Sequence, residues 1–311
     1  MPTTTFANGI VITTYPAPPA SFDFEKATDE ERALYIPRLT AGSSDLQKRL
    51  EEAMRNIRLV EPVFEQRESR RKKLPGLRPG FGPQTYPNWS GGVTFPAPGD
   101  KIWSVSGTWN SPKVSLPAGA QDGIWYSAAT WIGIDGDDPS ADVLQAGCVA
   151  AVMTSGEPLF RPWWEWSQAD GRPSHPFYIT NMPSSAGDEF TCWIQCVPLL
   201  AGAANPNSAL IFLADATSGF GFFFVATVPA GTSLKGNCAE WILEAPGTDP
   251  EGEPALAKFT TVDFTQCSAT TVRDKTVRPN SGNTIDMVDL SGQVISKGKF
   301  VESNEVQVSY V

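Results

Sequence analysis

From Asn88 onward the chain is written in short runs of Val, Ile, Thr, Phe and Trp. Gly, Pro, Asn and Asp separate one run from the next. The runs read "KIWSVSGTWN", "IWYSAATWIGI", "DVLQAGCVAAVMT", "PWWEWSQ", "EFTCWIQCV", "SALIFLADAT", "GFFFVATV", "AEWILEA", "KFTTVDFTQCSATTV", "TIDMVDL" and "EVQVSYV". About a dozen strands at this spacing, with no helical run of comparable strength between them, predict an all-β domain built as a two-sheet antiparallel β-sandwich. No repeat of fixed period is present.

The first 87 residues have a different pattern. Residues 1–20 are rich in Pro and Thr and read as extended chain. Thr28-x-x-Glu31 has the form of a capping box, opening a short helix that Pro37 would end. Leu46, Leu50, Met54, Ile57 and Val60 recur at steps of four and three within residues 43–66, which predicts an amphipathic helix. The run Arg70-Arg71-Lys72-Lys73, followed by a Pro/Gly cluster, reads as an exposed linker or as a processing boundary. The expected organisation is a partly helical N-terminal extension or pro-segment over residues 1–87, then a sandwich domain over 88–311.

Composition narrows the function. Charged residues are 19% of the chain against 41% hydrophobic, with 27 Gly and 27 Pro, which is a globular β composition. Residues 1–87 carry 13 Lys+Arg against 11 Asp+Glu (+2), and residues 88–311 carry 11 against 23 (−12). An acidic body repels phosphates, so nucleic acid is not expected as a partner. No stretch is long and apolar enough to predict a membrane span. The N-terminus lacks a basic segment followed by an apolar one, so no signal peptide is read there.

The five cysteines, Cys148, Cys192, Cys196, Cys238 and Cys267, cannot all pair within the chain. Buried thiols, or one or two disulfides, are expected. The single histidine, His175, lies in the Pro-flanked turn "GRPSHPFY", which disfavours both a zinc site and a histidine-dependent triad. No phosphate-binding glycine motif is present. No metal and no cofactor are expected.

What remains is carboxyl and amide chemistry on strands. In "NCAEWILE" the two-residue period puts Cys238, Glu240, Ile242 and Glu244 on one face, and Ala239, Trp241 and Leu243 on the other. A buried carboxylate is costly unless paired or used. "DVLQAGC" places Gln145 with Val143, Gly147 and Val149. "PWWEWS" groups Trp163, Glu165 and Ser167, and "TWIGIDG" carries Trp131 and Asp135. One polar intrusion into an apolar face is ordinary. Four of them on one sandwich point to a site.

Taken in order, Asn88-Trp89-Ser90-Gly91-Gly92, "ATWIGIDGD", "VLQAG", "WWEW", "CAEWILE" and "VQVSYV" resemble the glutamic peptidases, the eqolisin family. The resemblance runs through residues 88–311. It implies a lectin/glucanase-like jelly roll, polypeptide substrates and a catalytic dyad of Gln145 and Glu240. Trp131, Asp135, Trp163 and Glu165 are implied as substrate-binding residues. A monomer is expected, and the family's usual compartment is extracellular. Ser167 stands where the family usually has Tyr, and the segment between Gln145 and Trp163 is longer than usual.

In such a dyad, ionised Glu240 takes a proton from water and later returns it to the leaving amine. Gln145 positions the water and donates to the oxyanion. An acidic optimum follows from an ordinary Glu pKa. Two other classes are compatible with the residues alone. One is a glycoside hydrolase using Glu165 and Glu240 as its carboxyl pair. The other is a non-catalytic lectin-like binding module.

Overall fold

The computed structural model describes residues 1–6, 8–19, 21–24, 26–36, 54, 56–67, 83–137, 142–168, 176–197, 206–229 and 233–311. The N-terminal region holds β1 (Thr3–Thr5), β2 (Val11–Thr14), α1 (Asp29–Arg32), β3 (Arg58–Leu59) and β4 (Phe64–Gln66). Then follow β5 (Gln84–Tyr86), β6 (Trp89–Thr94), β7 (Ile102–Asn110), β8 (Val114–Ser115), β9 (Tyr126–Ile134) and β10 (Val143–Val152). Next are β11 (Leu159–Ser167), β12 (Phe177–Ile179), β13 (Glu189–Cys196), β14 (Ser208–Asp215), β15 (Phe220–Thr227) and β16 (Ala239–Glu244). The chain closes with β17 (Lys258–Phe259), β18 (Val262–Thr271), β19 (Thr276–Val277), β20 (Asn283–Val288), β21 (Val294–Phe300) and β22 (Val306–Tyr310).

The strands form two layers, as the strand spacing predicts. The back sheet runs β1-β2-β15-β14-β13-β7-β18-β19. The front sheet runs β4-β12-β11-β10-β9-β16-β6-β20-β21-β22-β18. β18 belongs to both. Its first three residues pair with β22, and from Thr265 onward it pairs with β7, with a bulge between Thr265 and Ser268. Gln266 in that bulge has φ 52°, which supplies the bend that carries one strand from sheet to sheet.

Aromatic side chains fill the space between the sheets. Trp164 stacks on Phe177 with centroids 4.7 Å apart. The polar ends of two other tryptophans are satisfied: Trp109 Nε1 donates to Thr130 Oγ1 at 2.9 Å, and Trp241 Nε1 donates to the Ser106 carbonyl at 3.0 Å. Each such ring buries about 150–250 Å², a gross gain of about 4–6 kcal/mol. Trp241 therefore anchors β16 into the inter-sheet core, and the same pleat turns Glu240 to the opposite, outer face.

The N-terminal region is woven into both sheets. β2 pairs with the exposed edge of β15 through Val11–Thr14, and β4 pairs with the edge of β12. Both edges are thereby closed to pairing with other chains. Ile10 and Ile12 reach the main core, while Met54, Ile57 and Leu59 pack on the outer face of the back sheet against Trp193, Phe212 and Phe223. Burial on both faces explains why "SALIFLAD" and "GFFFV" read as almost unbroken apolar runs.

Thr28 caps α1 as predicted: its Oγ1 accepts from Glu31 N at 3.2 Å, and Glu31 Oε2 accepts from Thr28 N at 2.7 Å. The amphipathic helix expected over residues 43–66 requires correction in its later part: Met54 and Asn56 are helical, but the helix does not run on to residue 66. Residues 58–59 and 64–66 are strands, because Pro62 disfavours helix at Glu61 and the open edges of β15 and β12 supply backbone partners. Leu46, Leu50, His175 and the run Arg70–Lys73 lie outside the described residues. All five cysteines are buried thiols, with no disulfide among them.

Candidate active site

Register assembles the site on the outer face of the front sheet. β9 lies between β16 and β10. Gly133 pairs with Glu240 on one side and with Gln145 on the other, and Gln145 pairs in turn with Glu165. Val93, Glu240, Gly133, Gln145 and Glu165 thus form one cross-strand row over five strands. Directly opposed residues in antiparallel strands share a face. The backbones of Glu240 and Gln145 are two strand spacings apart, about 9–10 Å. The residue between them has no side chain, so both can lean over it.

The adjacent row is Gly91–Ile242–Trp131–Gly147–Trp163–Tyr178. Trp131 and Trp163 stand on either side of Gly147, where a Cβ would collide with the Thr130 carbonyl. The Trp131 ring edge overlies Gly133, whose added Cβ would lie 2.9 Å from Trp131 Cζ3. Trp131 Nε1 donates to Glu244 Oε2 at 3.0 Å, and Trp89 meets the Trp131 ring edge-on at 5.1 Å. Glu244 also accepts from Asn88 Nδ2 at 3.4 Å. Both Trp131 and Trp163 are buried, so they form the floor of the site in this arrangement.

The polar groups are held from several sides. Gln145 Nε2 donates to Glu165 Oε2 at 2.9 Å. Since a carboxylate only accepts, this bond directs the amide nitrogen to Glu165 and leaves Oε1 for another donor. Gln145 is 2% exposed, and its Oε1 has no hydrogen-bond partner among the described residues. Leaving such an atom unsatisfied costs about 1–3 kcal/mol, which a water or ligand donor at this position would offset. Glu240 is fully buried, and the thiol of Cys238 donates to its Oε1 at 3.4 Å.

Asp135 sits just past β9 with φ 61°, and its carboxylate is a backbone anchor. It accepts from the N–H groups of Lys235 (2.6 Å), Gly236 (2.9 Å) and Asn237 (2.5 Å). Burial pushes its pKa up, and these amides oppose the shift. The structure thus ties Asp135, at the end of β9, to the segment entering β16, with its oxygens engaged by backbone. Gly136, next along, lies on the Glu240 side: a Cβ there would be 2.8 Å from Glu240 Oε2 and 3.1 Å from the Trp89 ring. Tyr86 donates to Asp137 Oδ1 at 2.6 Å and completes the turn. Burial, then Asp137, raise the Tyr86 pKa, so it remains a donor.

The row order bears on the glycoside-hydrolase reading. Glu165 and Glu240 are three strand spacings apart, about 14 Å between backbones. Gln145 and Gly133 stand between them, and the Glu165 carboxylate is engaged by Gln145. Glu240 has as its nearer row neighbour an amide, not a second carboxyl.

Comparison with known proteins gives the family and the fold. The family model described as the Peptidase A4 family matches residues 87–310. Aspergillopepsin-2 of Aspergillus niger is 26% identical over 238 residues, covering 72% of this chain and 77% of that protein. Scytalidopepsin B of Scytalidium lignicola is 26% identical over 189 residues, covering 59% and 63%. Among solved structures, scytalido-glutamic peptidase with a transition state analog inhibitor has the same fold. Its TM-score is 0.56 at 23% identity, with 72% of this chain and 98% of that chain covered. With a family match over most of its length and a two-layer β fold to match, the chain belongs to the Peptidase A4 family, the glutamic peptidases or eqolisins.

Proposed function

We propose that this glutamic peptidase hydrolyses peptide bonds in polypeptide substrates with Glu240 and Gln145 as its dyad. The observation that carries the reading is the shared row, Glu240–Gly133–Gln145, with a side-chain-free position at its centre. A water held between the Glu240 and Gln145 side chains, above the Trp131 ring edge, is activated when the Glu240 carboxylate takes its proton. The water oxygen attacks the peptide carbonyl carbon, and the carbonyl oxygen gains the negative charge. The free N–H of the Gln145 amide donates to that oxyanion, while its unpartnered Oε1 fixes the water. Glu240 then returns the proton to the nitrogen, and the C–N bond breaks as the oxyanion collapses. No covalent intermediate forms.

Glu165 is assigned a positioning role, since its bond to Gln145 sets which way the amide faces. Trp131 and Trp163 support the dyad from below, and Asp135 ties the end of β9 to the segment entering β16. Gly136 lies beside the Glu240 carboxylate, where any side chain would collide with it.

Cleavage of an acid-unfolded protein between about pH 2 and 7, a range spanning carboxyl titration, tests the reading. Gln145→Ala is expected to lose about 100- to 1,000-fold in kcat, the scale of one oxyanion donor. Undiminished cleavage by Gln145→Ala would remove Gln145 from the mechanism. A non-catalytic binding module would show no cleavage in the wild type at any pH.

A further inference from the structure

We infer that Cys238 is a positioning residue for Glu240: its thiol, one pleat earlier on the same strand face, holds the carboxylate in its working orientation and favours its ionised form. The inference rests on the dyad reading of Glu240 and goes beyond it.

The five cysteines divide by face. Cys148, Cys192, Cys196 and Cys267 lie in the apolar core between the sheets, whereas Cys238 lies in the cluster on the site face with Trp89, Val93, Trp131 and Ile242. A free cysteine in a core is ordinarily a small apolar filler. Cys238 instead makes two directed contacts. Its Sγ donates to Glu240 Oε1 at 3.4 Å and accepts from the backbone N–H of Asp137. The thiol therefore links the general base to the same turn that Asp135 and Tyr86 fix.

The direction of the bond to Glu240 follows from its neighbours. Burial first, then the carboxyl groups of Glu240 and Asp135, push the Cys238 thiol well above its ordinary value. It remains S–H and can only donate to an ionised carboxylate. Among the described residues, Cys238 on its own strand and Tyr86 from β5 interact with Glu240, and Asp135 and Asp137 from the turn crowd the same thiol. Beyond Gln145 in the same row stands Glu165 from β11. A donor at hydrogen-bond distance favours the ionised form of the carboxylate it faces.

The test is the pH dependence of kcat for the full-length wild type, Cys238→Ala and Cys238→Ser, with thermal unfolding measured alongside. Loss of the donor is expected to move the ascending, base-ionisation limb of Cys238→Ala upward by about half to one pH unit. Cys238→Ser keeps a donor of similar size, and its limb is expected at or below the wild-type position. This second variant decides the matter if the alanine protein fails to fold. A filler role predicts lower stability or a lower kcat at every pH with the limb unmoved, and that result overturns the inference. A serine limb above the wild type does so as well. Glu240→Gln is the parallel control. If it retains activity, the dyad reading itself falls. If it is inactive while Cys238→Ala keeps the wild-type limb, only the role of Cys238 falls.

Discussion

Gly133→Ala is the smallest change that probes the space between Glu240 and Gln145. The added methyl would lie 2.9 Å from the Leu144 carbonyl oxygen and 2.9 Å from Trp131 Cζ3, both closer than real Cβ contacts allow. The carbonyl belongs to β10 backbone and the ring is buried under Trp89, so neither yields freely. Overpacking of this kind costs about 1–3 kcal/mol. The reduced freedom of the unfolded chain returns about 0.4–1 kcal/mol. The net is a destabilisation of about 1–2 kcal/mol, and on the scaling for large domains a fall in Tm of about 2–8 °C. Activity should suffer more than stability. The methyl occupies the row between base and amide, and a displacement of about 1 Å in such a site costs about 100-fold in rate. Thermal unfolding and kcat/KM on an unfolded protein substrate, measured on the same preparation, separate the two effects. Gly247→Ala serves as the control, because a Cβ there meets nothing within 4 Å. Wild-type kcat/KM in Gly133→Ala, together with a lowered Tm, would refute the claim that the dyad needs this gap.

Three further outcomes follow from the same structure. Glu244→Leu removes the acceptor of the Trp131 indole N–H and should cost about 1–3 kcal/mol in chemical denaturation, with a shift in tryptophan fluorescence; unchanged stability and spectrum would separate Glu244 from Trp131. Ile12→Ala should cost about 2–4 kcal/mol, since Ile12 is 1% exposed in the main core, and an unaffected unfolding midpoint would mean that β2 contributes nothing to the sandwich. Stability should also fall as pH rises from about 4 toward 7. Asp135, Asp188 and Asp286 all have folded pKa values raised above 3.8, chiefly by burial, with Asp215 adding to the shift at Asp188. Groups raised in this way contribute fully below the unfolded value, and the contribution is lost as pH climbs through the folded one. The carboxyls shifted downward, Glu31, Glu65, Asp100 and Asp289, are exposed and screened, so they oppose the trend only weakly. A Tm that rises steadily from pH 4 to 7 would contradict this assignment.

The face each residue occupies could be read along single strands, because a two-residue period is a local property. Cys238, Glu240 and Ile242 do share the site face, and Ala239, Trp241 and Leu243 do enter the core. Strand pairing is not local. That Gly133 would stand between Glu240 and Gln145 depends on β16 inserting between β6 and β9, a choice made by packing across the whole sandwich. β6 itself was hidden, since "WSGGVT" is poor in strand formers; its glycines are there because Gly91 faces the β16 backbone too closely to carry a side chain. The role of residues 1–66 was hidden for the opposite reason. Helical spacing from Leu46 to Val60 is a genuine local pattern, yet the open edges of β15 and β12 draw the later part of that stretch into strands. The backbone contacts of Asp135 were likewise not legible in its motif. Its φ of 61° and its three backbone donors depend on the incoming segment at Lys235–Asn237, about a hundred residues later in the chain.

The central claim is that Glu240 is the base that activates water. Its most direct measurement is the cleavage rate of an unfolded protein by Glu240→Gln, an isosteric change that keeps the hydrogen-bonding outline and removes the charge. With the variant's fold verified by its unfolding midpoint, a loss of at least about 100-fold in kcat at every pH between about 2 and 7 is predicted. Cleavage at a rate near that of the wild type anywhere in this range would contradict the account.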